Sequence, residues 1–230
     1  REWAVDVAGL GEEGWTRWWH ADEADDVTYT QFMAKDNVPF HAVMFPATLL
    51  GSDGGWKLVD LLKSFSWLTF YGGKFSTSQG RGVFMDAALE ILPADVWRYH
   101  LVANAPESSD SSFTWEGLTQ SVNKDLAGAY GNLVNRVLGF TAKHADGVVP
   151  DIGDATSPAR DAFVEQVAGL VAELTDHMEH NQLRKSMGAL RDLWAAGNAF
   201  WNAEEPWKLA DDPDARAIVI STALNHLRLL

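Results

Sequence analysis

The sequence contains no cysteine. That excludes a disulfide framework and cysteine-ligated zinc, and it fits a reducing compartment. No apolar run approaches the length of a membrane span, and no signal-peptide pattern opens the chain. Basic residues are scarce: 18 Lys and Arg stand against 32 Asp and Glu, a net charge of −14. Much of the excess is early, where Glu2, Asp6, Glu12, Glu13, Asp22, Glu23, Asp25 and Asp26 face only Arg1 and Arg17. This stretch reads as a solubilising surface. The charge argues against non-specific nucleic-acid binding and leaves room for local basic contacts to a structured RNA. Two phosphate-binding signatures are also absent. Gly73-Lys74 is followed by Phe75, and position 68 is Leu, so the Walker A pattern fails twice; no G-x-G-x-x-G spacing occurs. Internal repeats and low-complexity segments are lacking.

What is present is a packed-core composition, 47% hydrophobic over 230 residues, enough for one large domain or two small ones. Val27–Lys35 is β-rich and roughly alternating, predicting a strand. Asn37 is then a plausible N-cap, with Pro39 in the first turn of a helix reaching about Leu50 and bent by Pro46. Ser64–Tyr71 predicts a second strand. Asp86–Leu92 and Ala94–Asn104 predict short helices split by Pro93, and Ala105–Ser112 a polar connector. Helical periodicity then runs over Trp115–Lys143, Pro158–His180 and Leu183–Ala203, with a further helix from about Asp214. The fold class expected is α/β followed by all-α, the second part a helical bundle. The chain opens REWAVD and stops within a helical pattern at LNHLRLL, so a piece of a longer polypeptide is expected.

Tyr71–Gly82 reads YGGKFSTSQGRG. Taken alone, a lysine-led hydroxyl loop after a strand suits either a surface turn or a phosphate site. KFSTS at Lys74–Ser78 resembles KMSKS, the second signature of class I aminoacyl-tRNA synthetases. Upstream, AKDNVPFHAVMFPATLLG (Ala34–Gly51) is similar to the methionyl-tRNA synthetase segment that precedes that signature. Downstream, SQGRGVFMDAALEILPADVWRYHL, SSDSSFTWEGLTQSVNKDLAGAYGNLVNR and NAFWNAEEPWKLA continue the likeness in the family's order. It runs from about Val27 to Leu230 and resembles the back of the catalytic domain leading into the anticodon-binding domain.

The resemblance implies a function and a set of residues. The family joins methionine to ATP and passes the methionyl group to tRNA. Lys74, Ser76, Thr77, Ser78 and Arg81 would then meet the triphosphate, with Thr77 standing where the family has its second lysine. Lys35 and Asp36 match the family's GKD stretch, with Ala34 in place of its glycine; with Lys74 they are expected to contact ATP. A carboxylate at Asp36 can accept hydrogen bonds from ribose hydroxyls, although it could equally be a helix-start carboxylate. His41 matches a histidine of the methionine pocket, where Phe40, Met44 and Phe45 would supply the apolar walls a thioether wants. Asn132, Arg136 and Trp207 match the anticodon-reading set, suited to unpaired bases that stack on aromatics and are read at their edges.

The expected organisation is residues 1–70 as the C-terminal part of a Rossmann-type catalytic domain, 71–114 as the KMSKS-like loop and stem-contact region, and 115–230 as a helical anticodon-binding domain truncated at its C-terminus. ATP with Mg2+, methionine and tRNA(Met) are the expected ligands and partners, in the cytoplasm and with no membrane. Zinc is not expected in this segment and no metal site is assigned; His177 and His180 read as surface or bundle residues. No H-x-G-H occurs, so the HIGH signature and its half of the catalytic domain are expected as a further partner, and the 230 residues are expected to be inactive alone. A non-catalytic RNA-binding module, or a paralogue that activates an amino acid for another pathway, are the alternatives.

Overall fold

The computed structural model describes residues 2–230. The chain forms an α/β region followed by a helical bundle, in two compact units. The first holds the residues up to Leu68 together with Pro106–Ser111; the second holds Thr69–Ala105 and Ser112–Leu230.

In the first unit a π-helical turn at Trp3–Val7 and helix α1 (Thr16–Trp19) lead to strand β1 (Thr30–Ala34). Strand β1 is shorter than the predicted Val27–Lys35 because Tyr29 N–H turns aside to the Asp60 carboxylate at 2.7 Å. It pairs in parallel with β2 (Leu61–Phe65), from Thr30 opposite Leu61 to Ala34 opposite Phe65. The helix predicted from Asn37 to Leu50 is divided. A 3-10 turn at Lys35–Asn37 is followed by a π-helical stretch, Phe40–Met44, and then α2 (Phe45–Gly51). Asn37 is not an N-cap; the turn is entered from Ala34 with no side-chain cap. Pro46 has no N–H to give, and it stands at the start of α2, where the π register ends. The strand predicted over Ser64–Tyr71 is likewise two: β2, then β3 (Leu68–Phe70). Between them, Ser66 N–H goes to Pro106 O at 2.8 Å and Trp67 N–H to Asp110 at 3.0 Å, so the first ladder cannot continue.

Strand β3 pairs with β4 (Ser111–Phe113), which occupies the end of the expected polar connector. Helices α3 (Met85–Ile91) and α4 (Ala94–Ala103) flank Pro93 as predicted. Trp97, Phe113 and Trp115 form an aromatic cluster, and the Trp97 indole donates to Ala88 O at 2.8 Å. The long helix from Trp115 has three parts: α5 (Trp115–Gln120), capped by Thr114, then a π-helical run Ser121–Gly131, then α6 (Asn132–His144). Helices α7 (Pro158–Glu179), α8 (Leu183–Glu204) and α9 (Pro213–Leu229) complete the bundle. Ser157 and Asp212 each cap a helix that begins with proline, which is why these starts were legible.

Leu133, Val137, Phe163, Ala196, Phe200, Trp201, Val219, Ile220 and Ala223 form the bundle core, with Phe163 stacked on Phe200 at 4.3 Å. Gly197 lets α6 and α9 close on α8: a Cβ there would fall 2.7 Å from both His226 and Leu133. His226 is buried, and its Nε2–H donates to Leu193 O at 3.0 Å. Burial pushes its pKa below the ordinary 6.5, with the Leu193 bond opposing.

Candidate functional site

The loop after β3 is a tight, exposed hairpin. Phe70 and Gly73 exchange backbone hydrogen bonds of 2.8 and 3.0 Å, and Ser76 and Arg81 exchange two of 2.8 Å. Tyr71 takes a left-handed φ of 46°, and its hydroxyl donates to Glu116 at 2.6 Å. That bond raises the pKa of Tyr71 and lowers that of Glu116. Thr77, Ser78 and Gln79 lie at the tip. Ser76 Oγ, 3.2 Å from Ser78 Oγ, also accepts Gln79 N–H at 3.3 Å. Lys74, Thr77 and Ser78 are exposed and Ser76 half-buried. Arg81 has a structural task as well: its Nη2 donates to Phe70 O at 3.0 Å, and the guanidinium lies where any Gly73 side chain would stand, 2.1 Å from a Cβ. The five predicted loop residues are thus brought into one small turn.

In the first unit, the end of β1 presents Lys35, Asp36 and, past the 3-10 turn, His41. Lys35 Nζ donates to Asp110 at 2.8 Å and sits 4.3 Å from the centre of the Trp67 ring. Lys35, and secondly Trp67 N–H, hold the Asp110 carboxyl below its ordinary pKa. Asp36 is exposed. His41 is half-buried and meets Gln31 Oε1 at 2.9 Å, while Gln31 Nε2 donates to the Tyr29 hydroxyl at 2.6 Å. A Gln oxygen only accepts, so His41 Nδ1 carries the proton and its Nε2 is the acceptor. Phe40, Met44 and Phe45 are exposed at 54%, 57% and 37%. Gln31 and Asp110 were missed in the sequence, since each acts on a residue far from it in the chain or on another element.

In the second unit, Asn132 and Arg136 share a face of α6, and each meets α8. Asn132 Nδ2 donates to Asn198 Oδ1 at 3.4 Å and Arg136 Nη2 to Asn202 Oδ1 at 2.6 Å, both pairs 66 residues apart. Asn198 is fixed in turn, its amide donating to Ala129 O and Trp194 O at 3.0 Å each. Helix α8 ends at Glu204, and the φ of 42° at its C-cap Glu205 turns the chain; Pro206 beyond it is buried and Trp207 is 46% exposed. Asn132 and Arg136 therefore belong to one seam between α6 and α8, and Trp207 follows the end of α8 in the chain. Asn198 and Asn202 were missed; their i, i+4 spacing just before Trp207 was the signal.

Among the described residues, one group has ligand atoms close enough for a shared ion: His20, Asp22 and Glu23, within 4.8 Å of one another. His20 is also packed between Trp15 and Trp56, and Glu23 accepts from Thr16 at 2.8 Å. His177 and His180 instead meet carboxylates of their own helix, Glu173 at 3.5 Å and Asp176 at 3.2 Å respectively. No described helix is long and apolar enough to cross a membrane.

Comparison with known proteins gives the family of the chain. Residues 4–138 match the family model described as tRNA synthetases class I (M), and residues 149–230 match the anticodon binding domain of methionyl tRNA ligase. The chain is 54% identical over 227 residues to the methionine–tRNA ligase of a Caulobacter species, covering 98% of this chain and 39% of that protein. It is 55% identical over 218 residues to the Streptomyces avermitilis methionine–tRNA ligase, covering 94% of this chain and 38% of that one. The Mycobacterium tuberculosis methionyl-tRNA synthetase, solved in complex with methionyl-adenylate, superposes with a TM-score of 0.82 at 27% identity, over 97% of this chain and 43% of that one. The chain thus spans about two fifths of the length of the relatives it matches. It belongs to the methionyl-tRNA synthetase family of class I tRNA synthetases.

Proposed function

We propose that the chain supplies the back of the catalytic domain and the anticodon-binding domain of a methionine–tRNA ligase. In this reading residues 1–70 belong to the catalytic domain, 71–114 to the signature loop and stem contact, and 115–230 to anticodon binding. The observation that carries it is similarity to methionine–tRNA ligases over 98% of the chain at 54% identity. The seam that joins Asn132 and Arg136 to α8, with Trp207 exposed just beyond that helix, favours it over a paralogue without a tRNA partner.

The reaction forms a bond between the methionine carboxylate and the α-phosphorus of ATP and breaks the bond to pyrophosphate. ATP enters as its Mg2+ complex. Negative charge moves onto the leaving pyrophosphate, and Lys74, the hydroxyls of Ser76, Thr77 and Ser78, and the loop's N–H groups are suited to meet it. Thr77 brings one fewer cation than the family pattern. Arg81 keeps guanidinium donors beyond the one given to Phe70 O, and these can share the load. Asp36 would accept from the ribose hydroxyls. Lys35, drawn to Asp110, would set the position of Asp36 and add positive charge beside the nucleotide. His41, held by Gln31, would line the methionine pocket with Phe40, Met44 and Phe45. The methionyl group then passes to tRNA(Met), in the cytoplasm.

Methionine-dependent ATP–pyrophosphate exchange tests this. The chain alone should give none, and mixing it with the half of the enzyme that carries the HIGH signature should restore exchange with methionine and no other amino acid. Exchange with a different amino acid would replace the reading with the paralogue. In the restored enzyme Arg81→Ala should lower exchange by about tenfold or more; an unchanged rate would remove Arg81 from the set.

A further inference from the structure

The acidic excess of this chain is not uniform over its surface. A cleft of about 430 Å3 in the second unit is lined by Lys124, Arg184 and Arg191, with Asn104 and Gln120 among its polar walls and Asp125 as its one carboxylate. Asp125 is already engaged: it accepts from the Tyr99 hydroxyl at 2.8 Å and lies 3.9 Å from Arg191. Burial pushes the Tyr99 hydroxyl up to about 12, so it remains a neutral donor to Asp125 at physiological pH. Lys124 and Arg184 are exposed.

The cleft is in line with the predicted base readers. At about 100° per residue, Arg184, Arg191, Asn198 and Asn202 fall within about 40° of one another on α8, and Arg184 to Asn202 spans about 27 Å at a rise of about 1.5 Å per residue. The facing helix keeps the same order. Asp125 meets Arg191 across the 66-residue separation that also joins Asn132 to Asn198 and Arg136 to Asn202. The two helices therefore run parallel, and their seam carries cations at one end and base-reading amides at the other.

We propose that this cleft is a second RNA-contacting site, which takes the sugar–phosphate backbone of the strand whose bases are read at Asn132, Arg136 and Trp207. It rests on the anticodon reading proposed above. A guanidinium can take a phosphate through two parallel N–H bonds, a lysine acts as a point charge, and side-chain amides can donate to phosphate or ribose oxygens. Such contacts fix register and carry no sequence preference. The cleft thus supplies a local attraction for RNA on a chain of net charge −14.

The test is fluorescence anisotropy of the 230-residue chain with two short stem-loop RNAs over a salt series, one with a CAU loop and one with that loop scrambled. Lys124→Gln with Arg184→Gln should weaken both RNAs by about tenfold and make the salt dependence shallower by about one to two units of slope. Trp207→Ala should instead erase the preference for CAU and leave the slope unchanged. If the double variant keeps affinity and slope while Trp207→Ala still erases the preference, the cleft proposal is overturned and the anticodon reading stands. If the double variant weakens both RNAs while Trp207→Ala changes nothing, the cleft is upheld and the base reading falls. Failure of the unaltered chain to bind either RNA overturns both.

Discussion

The two units are built to different standards. Among the described residues, the buried hydrophobic ones of the first unit are Ala24 and Met33, while the second buries Trp97, Phe113, Leu118, Leu133, Val137, Phe163, Trp201 and others. The first unit's sheet has two parallel strands and leaves Phe32 54% exposed and Leu61 40% exposed. Parallel sheets are ordinarily covered on both faces, and two strands do not make a stable sheet in water. The bundle, by contrast, closes its own core. The difference teaches which part of the chain carries its own stability and which depends on further structure, in keeping with relatives more than twice as long.

Three substitutions probe that contrast. Trp201→Ala, at a side chain only 1% exposed, should cost about 3–5 kcal/mol in denaturant unfolding. A loss near zero would mean that the bundle is not the self-supporting part.

A smaller effect is expected from acid. Burial holds His226 and His100 below the ordinary 6.5. For a depressed histidine, the unfolded chain binds the proton first on acidification. The stability these groups contribute is therefore complete above 6.5 and is lost as pH falls through the folded value. The depressed carboxyls Asp60, Asp110 and Glu116 act lower, below their ordinary 3.8 to 4.5. Unfolding midpoints should therefore decline from neutral toward pH about 5, and His226→Gln should flatten that decline. An unaltered acid limb in the variant would exclude His226 as its source.

The smallest effect belongs to Phe32→Ser. On this chain it should change unfolding free energy by no more than about 0.5 kcal/mol, as for a surface site. With the HIGH-bearing half added, the same change should weaken association, seen as a higher concentration needed to restore exchange. A large cost on the chain alone would break the comparison, because the first unit would then own a core.

The parts legible in the sequence were those specified by neighbouring residues. Pro93 separated α3 from α4, and Ser157-Pro158 and Asp212-Pro213 opened α7 and α9 with a cap and a fixed φ. The π-helical runs at Phe40–Met44 and Ser121–Gly131 were not legible, since apolar spacing hardly separates them from α-helix. The break at Ser66-Trp67 depended on partners at Pro106 and Asp110, some forty residues away. The same holds for the site. Lys74–Ser78, Asn132, Arg136 and Trp207 became candidates through a resemblance carried by contiguous runs of sequence, whereas Gln31, Asn198 and Asn202 act through partners on other elements.

Three rungs at one fixed offset, 125 with 191, 132 with 198 and 136 with 202, have a consequence for descent. Each rung joins two side chains whose chemistry must match, so a change on one helix makes a compensating change on the other favourable. Lineages of this family should therefore carry a correlated signature at a separation of 66, strongest where the rung holds a residue proposed to read a base. An inserted or deleted residue between the two helices would leave the pairs intact and only alter the number that separates them.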